Sequence, residues 1–353
     1  MPASSVNLQT PHSGYHWERS SRRFFEGWYF RVTLPVEQQS FAFMYSIDDP
    51  VGGQPHSGGA AQILGPDEAY FCRTLPNVNG FWAAYDRLAL SHCHPPLPTP
   101  HSPFPAHTDT GTEGYQTTAT LNHGQLKDPT TGNWVRWQYE TTPIYGWGNP
   151  TESQLPTAGW LSFLPVFEPG WQVLMAHGLA TGWVDWQGQR YEFENAPAYA
   201  EKNWGGAFPI KWFWMQCNAF DEPDLALTAV GGLRDVLGRQ ETVGLIGLHY
   251  QGQFHPFIST HNSLTWQVEP WGHWAMSARR GPYRIELTGR ASDTGNTVRV
   301  PTRDGLQFRC RDTTHGQLTL QLFEQDRPIV TARSDLAGLE AGGGPWQQPW
   351  HKP

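Results

Sequence analysis

The sequence predicts an all-β protein: two antiparallel barrel or sandwich halves with little helix. Runs of strand length rich in aromatic and β-branched residues recur along the whole chain, the pattern expected of half-buried strands. Gly and Pro number 37 and 30, and with Asn and Asp they punctuate most of these runs as turns. A sustained helical pattern, apolar at i, i+3, i+4 and i+7, is missing apart from short segments such as Asp67–Cys72. Many short strands with polar turns call for closure, because a closed sheet leaves no unpaired edge.

In chain order, Phe24–Val32 and Ser40–Ile47 are dense in Phe, Tyr and Trp, which favour strands. Tyr115–Leu121 is Thr-rich, and Trp134–Thr141 alternates Val135, Trp137 and Tyr139 with Arg136, Gln138 and Glu140. Gln172–Ala180 is nearly all apolar, and Lys211–Phe220, Leu225–Val230 and Thr242–Tyr250 follow as aromatic or aliphatic runs. Tyr283–Thr288, Leu306–Arg311 and Gln317–Phe323 return to strict alternation. A faint echo of Phe24–Val32 plus Ser40–Tyr45 in Lys211–Asn218 plus Leu225–Ala229 suggests that each half opens on an aromatic hairpin. The halves are placed at 1–196 and 197–353. Pro95–Pro105 reads as a surface loop, and Gly146–Pro169 as an irregular segment wrapping a barrel mouth.

Charged residues make up 16% of the chain, below the roughly 25% usual for soluble domains. Aromatics reach 14% with 18 Trp, a bias that suits either enclosure of an apolar ligand or the sealing of sheet packing. The formal charge of −8 and the lack of any basic run argue against nucleic acid as a partner. Cys72, Cys93, Cys217 and Cys310 are scattered without a C-x-x-C, which suggests neither zinc nor a disulfide framework and fits a reducing compartment. Met1–Gln9 lacks the pattern of a secretory leader, and no run approaches the roughly 18 apolar residues of a spanning helix. The expectation is a soluble chain able to rest on a membrane surface.

Phosphate-cradling, zinc-protease, nucleophile-elbow and dinucleotide motifs are absent from the sequence. His92, His94, His101 and His107 gather within a short span, but in a proline-rich setting with no rigid element or carboxylate to complete a metal shell, so a structural role is expected.

More informative are the long motifs: Pro11-His12-Ser13-Gly14-Tyr15-His16-Trp17-Glu18, then Arg22–Val32, then Ser40–Ser46. Gln62-Ile63-Leu64-Gly65, Tyr145-Gly146-Trp147-Gly148, Ala158-Gly159-Trp160, Pro165-Val166-Phe167-Glu168-Pro169 and Thr181-Gly182-Trp183 follow. The longest is Ala196-Pro197-Ala198-Tyr199-Ala200-Glu201-Lys202-Asn203-Trp204-Gly205-Gly206, running into Lys211–Asn218, and Gly342-Gly343-Gly344-Pro345-Trp346 closes the set. Together these resemble the tocopherol cyclase family over nearly the whole chain. Compared with plant members the chain lacks a plastid transit segment and has shorter insertions after Asp49 and around Pro95, which fits a cyanobacterial type of source.

The resemblance implies lipocalin-like halves and a redox-neutral isomerisation in vitamin E biosynthesis. A prenylated benzoquinol is protonated at its trisubstituted double bond, and the neighbouring phenol oxygen captures the tertiary cation. It implies no cofactor, whether nicotinamide, flavin or metal, and a peripheral position on the cytoplasmic side of a thylakoid or plasma membrane. The family is also similar to carotenoid hydratases, which protonate an isoprenoid alkene.

An isolated alkene is a very weak base, so the step needs a carboxylic acid kept protonated by desolvation, among aromatic faces that stabilise a cation. Tyr199-Ala-Glu201-Lys-Asn203-Trp204-Gly205 offers such a set. It is similar to the Tyr-x-Asp-x-Asn-Trp-Gly stretch of the hydratases, whose Asp is the proposed donor; here Glu201 takes that place. As a strand it puts Tyr199, Glu201 and Asn203 on one face and Lys202 and Trp204 on the other. Two readings of Glu201 stand: the proton donor, with Tyr199 and Asn203 as catalytic partners, or a structural carboxylate that caps a turn or pairs with Lys202. Glu26 is the next acid, either a donor or a buried anchor. His12, Tyr15 and His16 either position the quinol hydroxyls or simply build a loop. Trp28, Tyr45, Trp147, Trp204 and Trp214 are candidates for substrate lining, with core packing the alternative. A non-catalytic prenyl-lipid carrier and an isoprenoid hydratase are the rival functions.

Overall fold

The computed structural model describes the chain apart from residues 1–8, 20–22, 98, 100–111, 165–168, 237, 259–262 and 293. Its first sheet comprises β1 (Phe25–Leu34), β2 (Gln39–Asp48), β3 (Gly58–Leu64), β4 (Tyr70–Leu75), β5 (Phe81–Ala83), β6 (Ala89–His94), β7 (Glu113–Thr118), β8 (Leu121–Lys127), β9 (Trp134–Tyr145), β10 (Gly170–Trp186) and β11 (Gln189–Gly205). The second comprises β12 (Lys211–Cys217), β13 (Leu225–Val236), β14 (Arg239–Tyr250), β15 (Gln253–Ile258), β16 (Ser263–Val268), β17 (His273–Arg280), β18 (Tyr283–Arg290), β19 (Asn296–Thr302), β20 (Gly305–Glu324), β21 (Arg327–Gly343) and β22 (Trp350–Lys352). The described helix is confined to 3-10 turns at Pro66–Glu68, Val78–Gly80 and Gly159–Phe163. Asp67–Cys72, read as a short helix candidate, is instead a 3-10 turn leading into β4, whose ladder with β3 pairs Gln62 with Cys72. A lone helical turn fixes many dihedrals for one hydrogen bond, so the ladder wins.

Both sheets are antiparallel and share one plan. The first runs β4-β3-β2-β1-β11-β10-β9-β8-β7-β6-β5, and the second β15-β14-β13-β12-β21-β20-β18-β17-β16-β22 with β19 beside β20. In each, the opening strand pairs with the last long strand, β1 with β11 and β12 with β21. The echoing sequences thus form equivalent hairpins, β1–β2 and β12–β13. The sheets divide between Gly205 and Lys211; the division expected at residue 196 falls inside β11, where Ala198–Gly205 pair with β1.

Each sheet curls around its own filled core. The first holds Trp28, Phe30, Phe43, Tyr45 and Trp137, the second Phe213, Met215, Ile246, Trp274 and Leu320, all buried. A third zone, with Tyr145, Trp147, Val173, Tyr199, Trp214 and Leu245, lies where the sheets meet. Arg31 stitches them together: from β1 its guanidinium donates to Gln216 Oε1 at 3.0 Å, Thr314 O at 2.9 Å and Leu336 O at 2.7 Å. Gln62 adds a bond to Arg299 O at 2.9 Å.

Of the histidine cluster, His92 is buried on β6 with Nε2 2.9 Å from Asn77 O, and His94 is exposed. His101 and His107 lie outside the described residues, as do most of Pro95–Pro105 and Pro165–Glu168.

Candidate active site

β1 and β11 run side by side with Tyr29 opposite Glu201, Trp28 opposite Lys202 and Gly27 opposite Asn203. Strand alternation gives this ribbon two faces. Trp28, Phe30, Ala198 and Ala200 point into the first core. Tyr29, Tyr199, Glu201 and Asn203 point toward the second sheet, where they border a cavity of about 260 Å³ or pack beside it. The cavity therefore lies between the sheets and not inside either core. Its apolar wall comes from both sides, including Met44, Phe208, Val230, Val243, Leu245 and Val300.

Glu201 is 7% exposed. Its Oε2 accepts from the Tyr199 hydroxyl at 2.6 Å and from Trp214 Nε1 at 3.1 Å. Burial raises its pKa from 4.5 to about 7, against the opposing pull of the hydrogen bonds from Tyr199, Trp171 and Trp214. The carboxyl thus keeps its proton well above the ordinary carboxylate range and is about half neutral at pH 7, in an apolar setting lined by the rings of Tyr29, Trp171 and Trp214. Tyr29 and Trp214 meet edge to face at 5.4 Å.

Two further acids border the same cavity and escaped the sequence reading. Glu340 on β21 lies opposite Trp214 in the ladder and accepts from Trp212 Nε1; Asp312 on β20 lies opposite Glu340. Burial raises both carboxyl pKa values, and the Glu340 charge raises Asp312 further. Asp312 Oδ1, the Tyr29 hydroxyl and Ser46 Oγ are out of solvent with no hydrogen-bond partner among the described residues. The one available signal was Glu340 standing between Leu339 and Ala341, an acid on the outer face of an otherwise core-forming strand.

The opposite face of the ribbon carries a different cluster. Lys202, fully buried, forms an ion pair with Glu26, donates to Gly14 O at 2.6 Å and lies 3.1 Å from His16 Nδ1. The His16 amide donates to Glu26 Oε2 at 2.9 Å, and its ring stacks on Trp204 at 3.9 Å. His12 contacts His16 at 3.1 Å and Ser162 Oγ at 2.9 Å. Burial pushes the Glu26 carboxyl up, but Lys202 and His16 together bring it below its ordinary value; burial lowers the Lys202 ammonium. Tyr15 packs against Phe24 and Trp28. His12, Tyr15, His16, Glu26 and Trp204 are therefore gathered behind the strand that carries Glu201, apart from its carboxyl. This favours loop and anchor roles among the alternatives left open by the sequence.

Trp28 and Tyr45 border the cavity with their rings committed to the first core, Tyr45 stacked on Tyr115 at 3.9 Å and donating to Asn122 Oδ1 at 2.8 Å. Trp147 packs edge to face on Phe254 at 5.1 Å in the zone between the sheets. Glu201 does not pair with Lys202, because alternation sends the cation to the other face and Glu26 neutralises it there.

Residues 22–343 match the family described as tocopherol cyclase-like. A probable chloroplastic tocopherol cyclase of Oryza sativa is 42% identical over 377 residues, 97% of this chain and 80% of that protein. A chloroplastic tocopherol cyclase of Zea mays is 42% identical over 98% of this chain and 80% of its own length. Among solved structures, CghA (TM-score 0.53, 10% identity) and an AttH-type protein of Nitrosomonas europaea (TM-score 0.51, 13% identity) each cover 97% of this chain and 98% of their own. At that identity they speak to the fold alone.

Proposed function

The chain belongs to the tocopherol cyclase family, and from that premise we propose that Glu201 drives the ring closure of a phytyl-benzoquinol such as dimethyl-phytyl-benzoquinol. The enzyme is an isomerase of the cyclase type. The observation that carries the assignment of the acid is a buried carboxyl, raised to about 7, on the wall of an aromatic cavity. Its proton goes to the alkene carbon bearing hydrogen, a tertiary cation forms, and the ortho phenol oxygen closes the chromanol ring. Tyr29, Trp171 and Trp214 offer ring faces and edges around that charge, and among the described residues no basic side chain is paired with Glu201. Tyr199 orients the carboxyl through its hydrogen bond, and Asn203 borders the same space.

The substrate is a lipid, so the reading includes peripheral contact with a thylakoid or plasma membrane on its cytoplasmic side. Trp160 and Phe163, 71% and 61% exposed, support this: they flank Ser162 at the cavity rim. Among the described residues no helix is long and apolar enough to cross a membrane.

Purified protein incubated with the quinol under a reductant should yield a chromanol of unchanged mass. A product heavier by one water would indicate a hydratase, and bound but unchanged quinol a carrier. The matching benzoquinone lacks the attacking hydroxyl and should not cyclise. Glu201→Gln should lower kcat at least a thousandfold with quinol affinity nearly intact; normal turnover would move the acid elsewhere.

A further inference from the structure

Ring closure releases a proton from the phenol as surely as it consumes one at the alkene. Glu201 supplies the proton at the alkene and is left there as a carboxylate, while the structure offers separate acceptors for the phenol proton one strand further along the cavity. We propose that Asp312 and Glu340, with the Tyr29 hydroxyl, form the site that seats the reacting phenol and takes its proton. The assignment rests on the cyclase reading and adds to Glu201 a catalytic carboxyl pair.

Position and unmet hydrogen bonds both argue for it. Across the cavity floor the first sheet presents Glu201, then Tyr29, then Met44 in ladder order, while the second sheet presents Trp214, then Glu340, then Asp312. Glu201 thus sits at the Trp214 end, and the acid pair begins one strand further on. Asp312 is 1% exposed with Oδ1 unpartnered, and the Tyr29 hydroxyl is likewise buried without a partner. An orphaned acceptor and an orphaned hydroxyl bordering one cavity match a ligand hydroxyl, which donates to one and accepts from the other. Trp212 and Cys310 fix Glu340 by hydrogen bonds, while Asp312 Oδ1 beside it is left open to a ligand.

Charged groups facing the pair include Arg31, whose guanidinium is bonded to Gln216, Ser40, Thr314 and Leu336, Glu68, which is paired with His315, and Glu201, whose pKa the Glu340 charge raises. Two carboxyls side by side cannot both ionise readily, and in the proposed cycle the pair enters sharing one proton and carrying one negative charge. In the reaction the Glu201 O–H bond breaks as the new C–H bond forms. The phenol oxygen then bonds to the tertiary carbon, its O–H bond breaks, and the proton passes to the singly charged pair. Return of that proton to Glu201 restores the enzyme, with no oxidant, reductant or net proton consumed. A quinone, having no hydroxyl to donate, makes no such bond with Asp312.

The test uses the full chain with dimethyl-phytyl-benzoquinol and the matching benzoquinone as probes, binding being read by tryptophan fluorescence quenching. The wild type is expected to hold the quinol at least tenfold more tightly than the quinone. Asp312→Asn should bring that ratio close to one and lower kcat a hundredfold or more, with a cooperative melt retained; Glu201→Gln should lose turnover and keep the ratio. If Asp312→Asn does not fold, Glu340→Gln and Tyr29→Phe carry the same two readouts. Retention of both the ratio and the rate by folded variants overturns the assignment. Failure of the wild type itself to form chromanol overturns instead the cyclase reading on which it rests.

Discussion

A carboxyl that stays neutral near pH 7 does so at the expense of folding stability above its ordinary pKa. For Glu201 the folded value is about 7 against an ordinary 4.5. The folded state therefore binds the proton more tightly, and this contribution is fully present below pH 4.5 and lost as pH rises through 7. The difference amounts to about 3 kcal/mol. Glu201→Gln should escape that loss and be more stable than the wild type by up to this amount at pH 8, with the gap closing toward pH 4.5, as denaturant unfolding would register. Turnover should fall over the same range: kcat drops about tenfold per unit above pH 7, provided that protonated Glu201 is the donor. A flat profile up to pH 9 would exclude it. Glu201 was legible in the sequence because it sits in a seven-residue motif with a chemical logic. Asp312 and Glu340 were not, since each is a lone acid whose partner is adjacent only through the β20–β21 ladder.

β11 shows how one strand serves two environments. Its Glu201 face borders the cavity between the sheets, and its other face holds Lys202 and Glu26 buried as an ion pair beneath His16 and Trp204. Lys202→Met strands the Glu26 carboxylate and should destabilise the fold by about 3–5 kcal/mol; Lys202→Met with Glu26→Gln should recover much of that in urea unfolding. The period of two in Tyr199–Trp204 foretold the separation of faces, but not which face meets a second sheet, because polar residues occupy both. β21 was missed altogether. Its Ala-Gly-Leu-Glu-Ala-Gly-Gly sequence looks like loop, yet its glycines are the spaces over which β12 tryptophans lie. A Cβ on Gly342 would come within 2.0 Å of the Trp212 ring, and one on Gly338 within 2.7 Å of Trp214. Gly342→Ala should push Trp212 off Glu340 and cost about 1–3 kcal/mol, visible as a lower melting temperature and an altered tryptophan emission.

At the scale of the whole molecule, the filled cores leave the seam between the sheets as the place for a ligand, and Arg31 holds that seam shut along one side. The rim at Ala158 and Ser162 is carried by the Gly159–Phe163 turn, tied back by His12 to Ser162. Of the segment expected to wrap a barrel mouth, Ala158, Ser162 and Pro169 border the cavity, which belongs to the seam and not to one barrel. Leu155, Trp160, Phe163 and Leu164 are all exposed around this turn, an apolar grouping that water disfavours and a bilayer interface accepts, Trp especially. A quinol with its tail in lipid could then pass into the seam without crossing water. Each large ring transferred contributes roughly 1.5 kcal/mol, so replacing Trp160 and Phe163 together with Ser should weaken vesicle binding about a hundredfold. Turnover of quinol embedded in vesicles should fall in proportion, while turnover of detergent-dispersed quinol holds, because neither ring borders the cavity. Equal losses in both assays would assign the turn to shaping the cavity, and unchanged co-sedimentation would put the membrane contact on another surface.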